Sequence, residues 1–327
     1  MVFSTFERIH TYARMYDFVY ICCTLCKNVP HRIHHQKAKE GEMANTSRSA
    51  ELIIQEALAI ETEAAQEAGA LGFMARAMVQ ATLPHSKVEG NEFSRTNGNY
   101  TLSILTPSAI GLPYGSIPRL LLAWITTEAV KTQSREIELG DSLSGFMREL
   151  DMVATGGRWG SVTRLKNQTR KLFASTITAT YDAGNRFALI NQPLAEQATF
   201  WWDTKNPDQA GLWKSTVTLS ERFFREVIDR PIPIDMRAIK ALKKSPMALD
   251  VYSWMTYRVS YLKKPTTIPW KALSLQFGSN YSQVRDFRAA FLREVRKVET
   301  VYKDLRFDST TEGLILQPSL THVRRLK

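Results

Sequence analysis

The chain has 327 residues, of which 44% are hydrophobic and 23% are charged, and this composition excludes a disordered tail or a fibrous repeat. Its 43 Lys and Arg residues against 32 Asp and Glu residues give a formal net charge of +11, which indicates an anionic partner. Because no apolar run is long enough to span a membrane and no secretory signal is recognisable, we expect a cytoplasmic protein without a membrane partner.

The first 42 residues differ in composition from the rest of the chain. They contain all three cysteines and four of the six histidines, namely Cys22, Cys23, Cys26, His10, His31, His34 and His35. Two interpretations remain open. These side chains are ligands that zinc accepts, although their short spacing leaves little room for the turn and helix that usually present them. Alternatively, residues 1–42 are a leader upstream of a native start at Met43, because Gly41-Glu42 can be encoded by the purine-rich stretch that precedes bacterial start codons. We favour the leader and predict no metal site and no cofactor.

Residues 43–85 are predicted to form an N-terminal helical arm. Ile53, Ala57, Ile60 and Ala64 recur at helical spacing, which predicts a helix from Ser47 to about Ala81. The arm carries two basic and five acidic residues, whereas residues 86–327 carry 35 basic and 23 acidic ones. The surface that binds an anion is therefore expected after residue 85.

Residues 86–208 are predicted to form the first of two domains. A hairpin turns at Asn97-Gly98, and a helix with Ser116 as its N-cap and Pro118 in its first turn runs to about Thr132. A short strand over 135–139 and a short helix capped by Ser142 follow. After a glycine-rich turn at 155–160 come a helix from 161 to 175 and two strands, 176–181 and 186–191, joined at Gly184-Asn185.

Residues 209–327 are predicted to repeat this order as a second domain, with the boundary near the polar segment 206–211. A helix begins at Ser245-Pro246, an extended piece covers 266–270, and a short helix covers 271–277. A turn at 278–281 precedes a long helix from 282 to 303. A last hairpin pairs 305–307 with 314–316 about Glu312-Gly313.

The helix after each turn has an apolar back and a basic front. In the first domain Val162, Leu165, Thr169 and Leu172 share the apolar face, and no acidic residue occurs from position 158 to position 171. The predicted DNA-binding residues of this domain are Arg158, Thr163, Arg164, Asn167, Arg170 and Lys171. Arginine suits guanine edges and phosphates, and asparagine pairs with adenine.

The second domain shows the same arrangement. Its apolar stripe is predicted to comprise Val284, Phe287, Phe291, Val295, Val298 and Tyr302. The predicted DNA-binding residues are Tyr281, Ser282, Gln283, Arg285, Arg288, Arg293, Arg296 and Lys297. Acidic neighbours at 286, 294 and 299 leave open that this face is only a solvated surface with internal ion pairs. Trp124, Trp254 and Tyr257 lie on apolar helix faces and are expected in the core.

Helix, turn, basic helix and β-hairpin in this order are typical of the winged helix-turn-helix, whose second helix enters the major groove. We therefore predict an α+β fold, predominantly helical, with two tandem winged-helix domains and an N-terminal helical arm. The expected partner is double-stranded DNA.

Three segments resemble the plasmid-encoded RepA replication initiator family of bacteria: 111–124 (GLPYGSIPRLLLAW), 139–150 (LGDSLSGFMREL) and 155–160 (TGGRWG) with 164–168 (RLKNQ). The resemblance covers roughly residues 80–325 and is looser in the second domain. It implies a protein that binds repeated sequences in a plasmid origin, opens the duplex and recruits host replication initiator and helicase proteins. It also implies a homodimer that represses its own gene and so controls copy number.

An enzyme is not expected. The chain has no Gly-x-x-x-x-Gly-Lys-Ser/Thr loop for a nucleotide, and His322-Val-Arg-Arg325 lacks the downstream tyrosine that a tyrosine recombinase requires. Two other classes remain open. A winged-helix transcriptional repressor would use the same two domains only to occupy an operator, and a protein adaptor would show no sequence preference for DNA.

Overall fold

A computed structural model describes residues 36–80, 82–201, 215–278 and 281–323. The described residues from 49 onward form one compact unit. The cysteines and histidines of the zinc hypothesis, the predicted domain boundary at 206–211 and most of the predicted leader lie outside the described residues. Residues 36–42 are helical.

The N-terminal helix ends earlier than its predicted limit. Helix α1 spans Gln36–Thr62, strand β1 spans Leu71–Met74 and the short helix α2 spans Arg76–Gln80. The prediction of one continuous helix to Ala81 is therefore wrong, because a turn and β1 separate Thr62 from α2. Gly69, with φ +64, closes a turn there, and Leu71–Met74 pairs with Ile232–Asp235, a partner about 160 residues away that local periodicity does not reveal.

Seven of the described strands form two antiparallel sheets. One has the order β2-β3-β5-β6 and contains Glu92–Asn97, Tyr100–Leu105, Thr176–Asp182 and Phe187–Pro193. The other has the order β4-β8-β7 and contains Glu136–Glu138, Thr216–Leu219 and Ala195–Thr199. The predicted hairpin at Asn97-Gly98 and the predicted hairpin at Gly184-Asn185 are thus present, but β3 pairs with β5 and joins them into one sheet. The strands β7 and β8 were not predicted.

Three helices lie in the described part of residues 86–208. Helix α3 spans Ser116–Thr132, α4 spans Leu143–Glu149 and α5 spans Ser161–Phe173. Ser142 caps α4 as predicted, because its side chain accepts a hydrogen bond from the Gly145 amide at 3.1 Å. The prediction of Ser116 as N-cap is wrong. Gly115 takes that place with φ +79, a backbone angle that favours glycine.

The second half contains both predicted and unpredicted elements. The predicted ones are α8 (Pro246–Val259), β10 (Thr266–Pro269), α9 (Trp270–Phe277), α10 (Val284–Val301), β11 (Phe307–Ser309) and β12 (Gly313–Leu316). The sheet order here is β10-β12-β11. The unpredicted ones are α6 (Glu221–Asp229), β9 (Ile232–Asp235) and α7 (Met236–Leu242). The two helices are too short for a clear helical periodicity, since seven to nine residues make only about two turns.

A single apolar cluster links these elements. It includes Leu102 and Leu121 from the first half and Val251, Phe277 and Phe291 from the second. Trp254 is buried as predicted, whereas Trp124 and Tyr257 are half-buried at its edge. Within the described part of the chain, no helix is long and apolar enough to cross a membrane.

A buried ion pair connects the two halves. Arg119 on α3 donates from Nε and Nη2 to the carboxylate of Asp250 on α8, at 2.7 and 2.6 Å. Its guanidinium also donates to the carbonyl oxygens of Leu83 and Gly115, both at 2.7 Å. His85 Nε2 lies 2.7 Å from Asp250 Oδ2. Arg119 is 3% exposed, so this network is nearly sealed from water.

A second buried cluster includes His322 near the end of the chain. Its ring lies 4.6 Å from that of Tyr302, and its Nδ1 lies 2.8 Å from the hydroxyl of Tyr252. The Tyr252 hydroxyl also accepts a hydrogen bond from the Asp235 amide at 2.9 Å. His322 therefore packs against Tyr252 on α8 and against Tyr302, and Tyr252 in turn contacts β9.

We expect acid to destabilise the fold through these two histidines. Burial lowers the pKa of both His85 and His322, against a raising effect of the Asp250 hydrogen bond on His85. Because each folded-state pKa is below the unfolded value of 6.5, the unfolded chain binds more protons as the pH falls through that value. The contribution of each histidine to stability is therefore present well above pH 6.5 and is lost as the pH falls below that value.

Urea denaturation at pH 7.5 and pH 5.5 measures this difference. The variant His322→Phe should lose part of the pH dependence while staying folded at pH 7.5. A free energy of unfolding that is equal at both pH values in the wild-type chain would contradict the prediction.

Candidate nucleic-acid interface

The turn before α5 is held by a compact set of hydrogen bonds. Ser161 Oγ donates to the Val153 carbonyl at 2.6 Å and accepts from the Thr155 amide at 2.8 Å. The Ser161 amide donates to Thr155 Oγ1 at 2.9 Å. A Cβ at Gly160 would lie 2.2 Å from the Thr155 carbonyl oxygen, so only glycine fits there. The amino end of α5 is therefore rigidly placed.

Helix α5 has the two faces that the sequence predicts. Val162, Leu165, Thr169 and Leu172 are all buried. Arg164, Asn167 and Arg170 are exposed. The exposed face also includes Lys166, which the prediction omitted although it lies in the same acid-free segment. This face presents a row of donors with no carboxylate of its own helix to neutralise it.

Three other predicted DNA-binding residues of the first domain contact neighbouring residues of the protein. The Arg158 guanidinium lies 5.1 Å from the Trp159 ring, and Thr163 Oγ1 donates to the Gly157 carbonyl at 3.0 Å. Lys171 Nζ lies 5.1 Å from the Tyr114 ring. Arg158 is exposed, whereas Thr163 and Lys171 are half-buried. The Thr163 hydroxyl thus helps to hold the turn.

Trp159 is the residue at this surface that sequence reasoning missed. Its side chain is 80% exposed at the turn that leads into α5. Large aromatic side chains are rarely left so open to water, which points to a contact surface. The signal in the sequence is an aromatic residue between Arg158 and Gly160 in a glycine-rich turn.

Helix α10 agrees less closely with its prediction. It begins at Val284 rather than at Ser282, and Val284 is 45% exposed, so its placement in the buried stripe is wrong. Val284 lies in the first turn, before the helix reaches the core. Phe287, Phe291, Val295, Val298 and Tyr302 are fully buried as predicted.

The predicted contact residues of the second domain differ in exposure and in ion pairing. Tyr281, Ser282 and Gln283 are exposed in the segment before the helix, and Arg285, Arg293 and Arg296 are exposed on it. Arg288 is half-buried, with its guanidinium 5.3 Å from the Trp270 ring. Lys297 pairs with Glu294 at 2.9 Å, and Arg285 lies 3.6 Å from Asp286. Acidic neighbours therefore neutralise part of the α10 face, which makes α5 the stronger anion-binding surface.

The described residues contain no group of three or more His, Cys, Asp or Glu side chains placed to hold a metal ion. The interface thus consists of donors and aromatic rings on helices and turns.

The part of the chain that contains α5 is similar to a known protein family. Residues 112–271 match the family model described as plasmid encoded RepA protein. The resemblance to the RepA family is confirmed. The RepA match includes α3, α5 and the β5-β6 hairpin, and it stops before α10 begins at Val284.

Two solved structures resemble the RepA-like chain. A crystal structure of selenomethionine derivatives of domains 2 and 3 of RctB has a TM-score of 0.49 and 10% identity, covering 75% of this chain and 96% of that one. A crystal structure of the RctB domains 2-3 has a TM-score of 0.44 and 10% identity, covering 73% and 93%. No curated protein matches the chain.

Proposed function

We propose that the chain is a plasmid replication initiator that binds repeated sequences in the plasmid origin. The family match over residues 112–271 supports a replication initiator role. The observation that carries the DNA-binding part is the face of α5, where Arg164, Asn167 and Arg170 are exposed over a fully buried back. Arginine and asparagine side chains on an exposed helix are the donors that read base edges in the major groove.

The proposal assigns one DNA-reading helix to each predicted domain. Residues 86–208 would read DNA through α5 and residues 209–327 through α10, each as a winged helix with its adjacent hairpin. The basic face of α5 carries no acidic residue, which supports a base-reading role for this helix. The paired charges on α10 support a larger share of contacts to the phosphate backbone.

The remaining steps follow from the family's role. After binding the origin repeats, the protein would promote opening of the duplex and recruit host replication initiator and helicase proteins in the bacterial cytoplasm. It would act by binding, without an enzymatic activity or cofactor of its own. A homodimer of the same chain would limit copy number by repressing its gene.

Fluorescence anisotropy of the full chain on the direct repeats beside its gene tests the proposal, with a scrambled duplex as control and a series of salt concentrations. We expect tight binding to the repeats and a steep fall of affinity with salt. Equal affinity for both duplexes would contradict it. A preference for an inverted repeat, without opening of adjacent A·T-rich DNA in a permanganate assay, would favour the transcriptional repressor.

Trp159 should contribute to this binding without supporting the fold. Because its side chain is 80% exposed, Trp159→Ala should change the free energy of unfolding by less than about 0.5 kcal/mol. Loss of the contact between its ring and the DNA should weaken binding by about 1 kcal/mol. Anisotropy and urea denaturation measure the two effects. Leu320→Ala, at a side chain that is 70% exposed outside this surface, is the matched control, and equal effects of both variants on affinity would contradict the assignment.

A further inference from the structure

A polar cavity of about 280 Å³ lies beside the carboxyl end of α5. Two loops form it, residues 87–91 before β2 and residues 108–112 before α3, and Lys171 from α5 completes it. Lys171 is a predicted DNA-binding residue, whereas neither loop has a predicted role.

Backbone and side-chain hydrogen bonds hold the two loops together. The Asn91 carbonyl accepts a hydrogen bond from the Thr106 amide at 2.9 Å, and Asn91 Nδ2 donates to the Thr106 carbonyl at 3.2 Å. The Pro107 carbonyl accepts from the amides of Ile110 and Gly111 at 2.9 and 3.2 Å. The cavity is therefore formed before any ligand binds.

Lys171 Nζ lies over the backbone of Gly111. A Cβ on Gly111 would be 3.7 Å from that nitrogen, and Gly111 has φ +74, which favours glycine. The ammonium group is thus directed to the wall of the cavity rather than away from the protein surface.

The charged groups of the cavity sum to a single positive charge. They are Lys87, Lys171 and Glu89, and Lys87 pairs with Glu89 at 2.9 Å. Burial lowers the pKa of Lys171, and the nearby charge of Lys87 lowers it further, while Glu89 raises it. Two ammonium groups that repel one another are stabilised by an anion between them. A single positive charge matches a phosphodiester, which carries one negative charge, better than a free phosphate dianion.

The position of the cavity agrees with a duplex on α5. Lys171 follows Arg164 by seven residues, so the two lie on the same side of the helix about 10 Å apart. The major groove is about 12 Å wide, and a phosphate backbone borders it on each side. A lysine two turns along the row from a base-reading arginine is therefore placed near the groove's edge.

We propose that this cavity binds one backbone phosphate of the duplex that α5 contacts, through Lys87 and Lys171. The proposal rests on the proposed function, because it needs α5 to lie on DNA. It adds a contact that fixes the position of the strand relative to α5, since phosphate contacts set register while base contacts set sequence preference.

A methylphosphonate scan of the origin repeat tests the proposal. Each linkage beside the α5 contact is made neutral in turn, and the affinity of the full chain is measured by anisotropy. One neutral linkage should weaken wild-type binding about fivefold. Lys87→Ala and Lys171→Gln should bind the unmodified repeat more weakly, and the same neutral linkage should cost these variants little more.

Lys131→Ala is the matched control. Lys131 also pairs with a glutamate, Glu128, at 3.4 Å, and it does not line the cavity. The neutral linkage should weaken this variant about fivefold, as in the wild-type chain. Circular dichroism establishes that each variant is folded.

The outcomes separate the two proposals. The neutral linkage could weaken binding equally in wild-type, Lys87→Ala and Lys171→Gln, or no linkage could affect binding. Either result would show that the cavity does not bind a DNA phosphate. If inorganic phosphate alone displaces the labelled repeat, and the effect of no neutral linkage depends on Lys87, the cavity binds free phosphate. That result would overturn the proposal. Failure of the proposed function would appear instead on unmodified DNA, as equal affinity for repeat and scrambled duplex.

Discussion

Replacing Asp250 with alanine is expected to lower the free energy of unfolding by about 3–5 kcal/mol. The substitution leaves the buried Arg119 guanidinium without its only charged hydrogen-bond acceptor among the described residues. Burial alone would raise the pKa of Asp250, but the charge of Arg119 and hydrogen bonds from His85 and Arg119 hold it below its ordinary value. The carboxylate is therefore ionised at neutral pH, and its removal uncovers a buried positive charge.

Urea denaturation at pH 7.5 measures this loss. The control is Glu128→Ala, which breaks the exposed pair with Lys131 and should change stability by less than about 1 kcal/mol. If Asp250→Ala prevents folding, Asp250→Asn is the second variant, because it keeps the side-chain shape and removes the charge. A loss of less than about 1 kcal/mol in both Asp250 variants would contradict the structural role of the pair.

Arg164→Ala is expected to weaken binding to the origin repeat by about 1–3 kcal/mol, which is the range for one bidentate base contact. Arg164 is exposed on the acid-free face of α5, so the fold should be unaffected. Arg285→Ala should have a smaller effect, because Asp286 lies 3.6 Å from that arginine and already balances part of its charge.

Arg164→Lys distinguishes a base contact from a phosphate contact. Lysine keeps the charge but lacks the planar fork of donors, so it should preserve binding to scrambled DNA and lose preference for the repeat. Arg306→Ala is the control, since Arg306 is exposed and lies outside both basic helices. Equal preference for the repeat in wild-type, Arg164→Ala and Arg164→Lys, with intact circular dichroism, would overturn the assignment of α5 as a reading helix.

Local sequence signals predicted the elements that depend on near neighbours. The Asn97-Gly98 turn, the Ser142 cap, the helix start at Ser245-Pro246, and the apolar stripes of α5 and α10 each reflect interactions within a few residues. These signals were enough to find the basic face of α5.

Pairing between distant segments could not be predicted in this way. Strand β1 exists because it pairs with β9, and the β5-β6 hairpin joins a larger sheet because β3 pairs with β5. Trp159 was missed because its exposure depends on a turn held by Ser161 and Thr155. The cavity beside α5 was missed because its loops come from two segments about 20 residues apart.

The Arg119–Asp250 pair also limits how chains of this kind can exchange segments. The two residues lie 131 positions apart, on α3 and on α8. A recombination event between them that joined segments from two different chains would keep a stable interior only if both parents carried the same pair. We expect functional hybrids to inherit positions 119 and 250 together, whichever DNA repeat each half prefers.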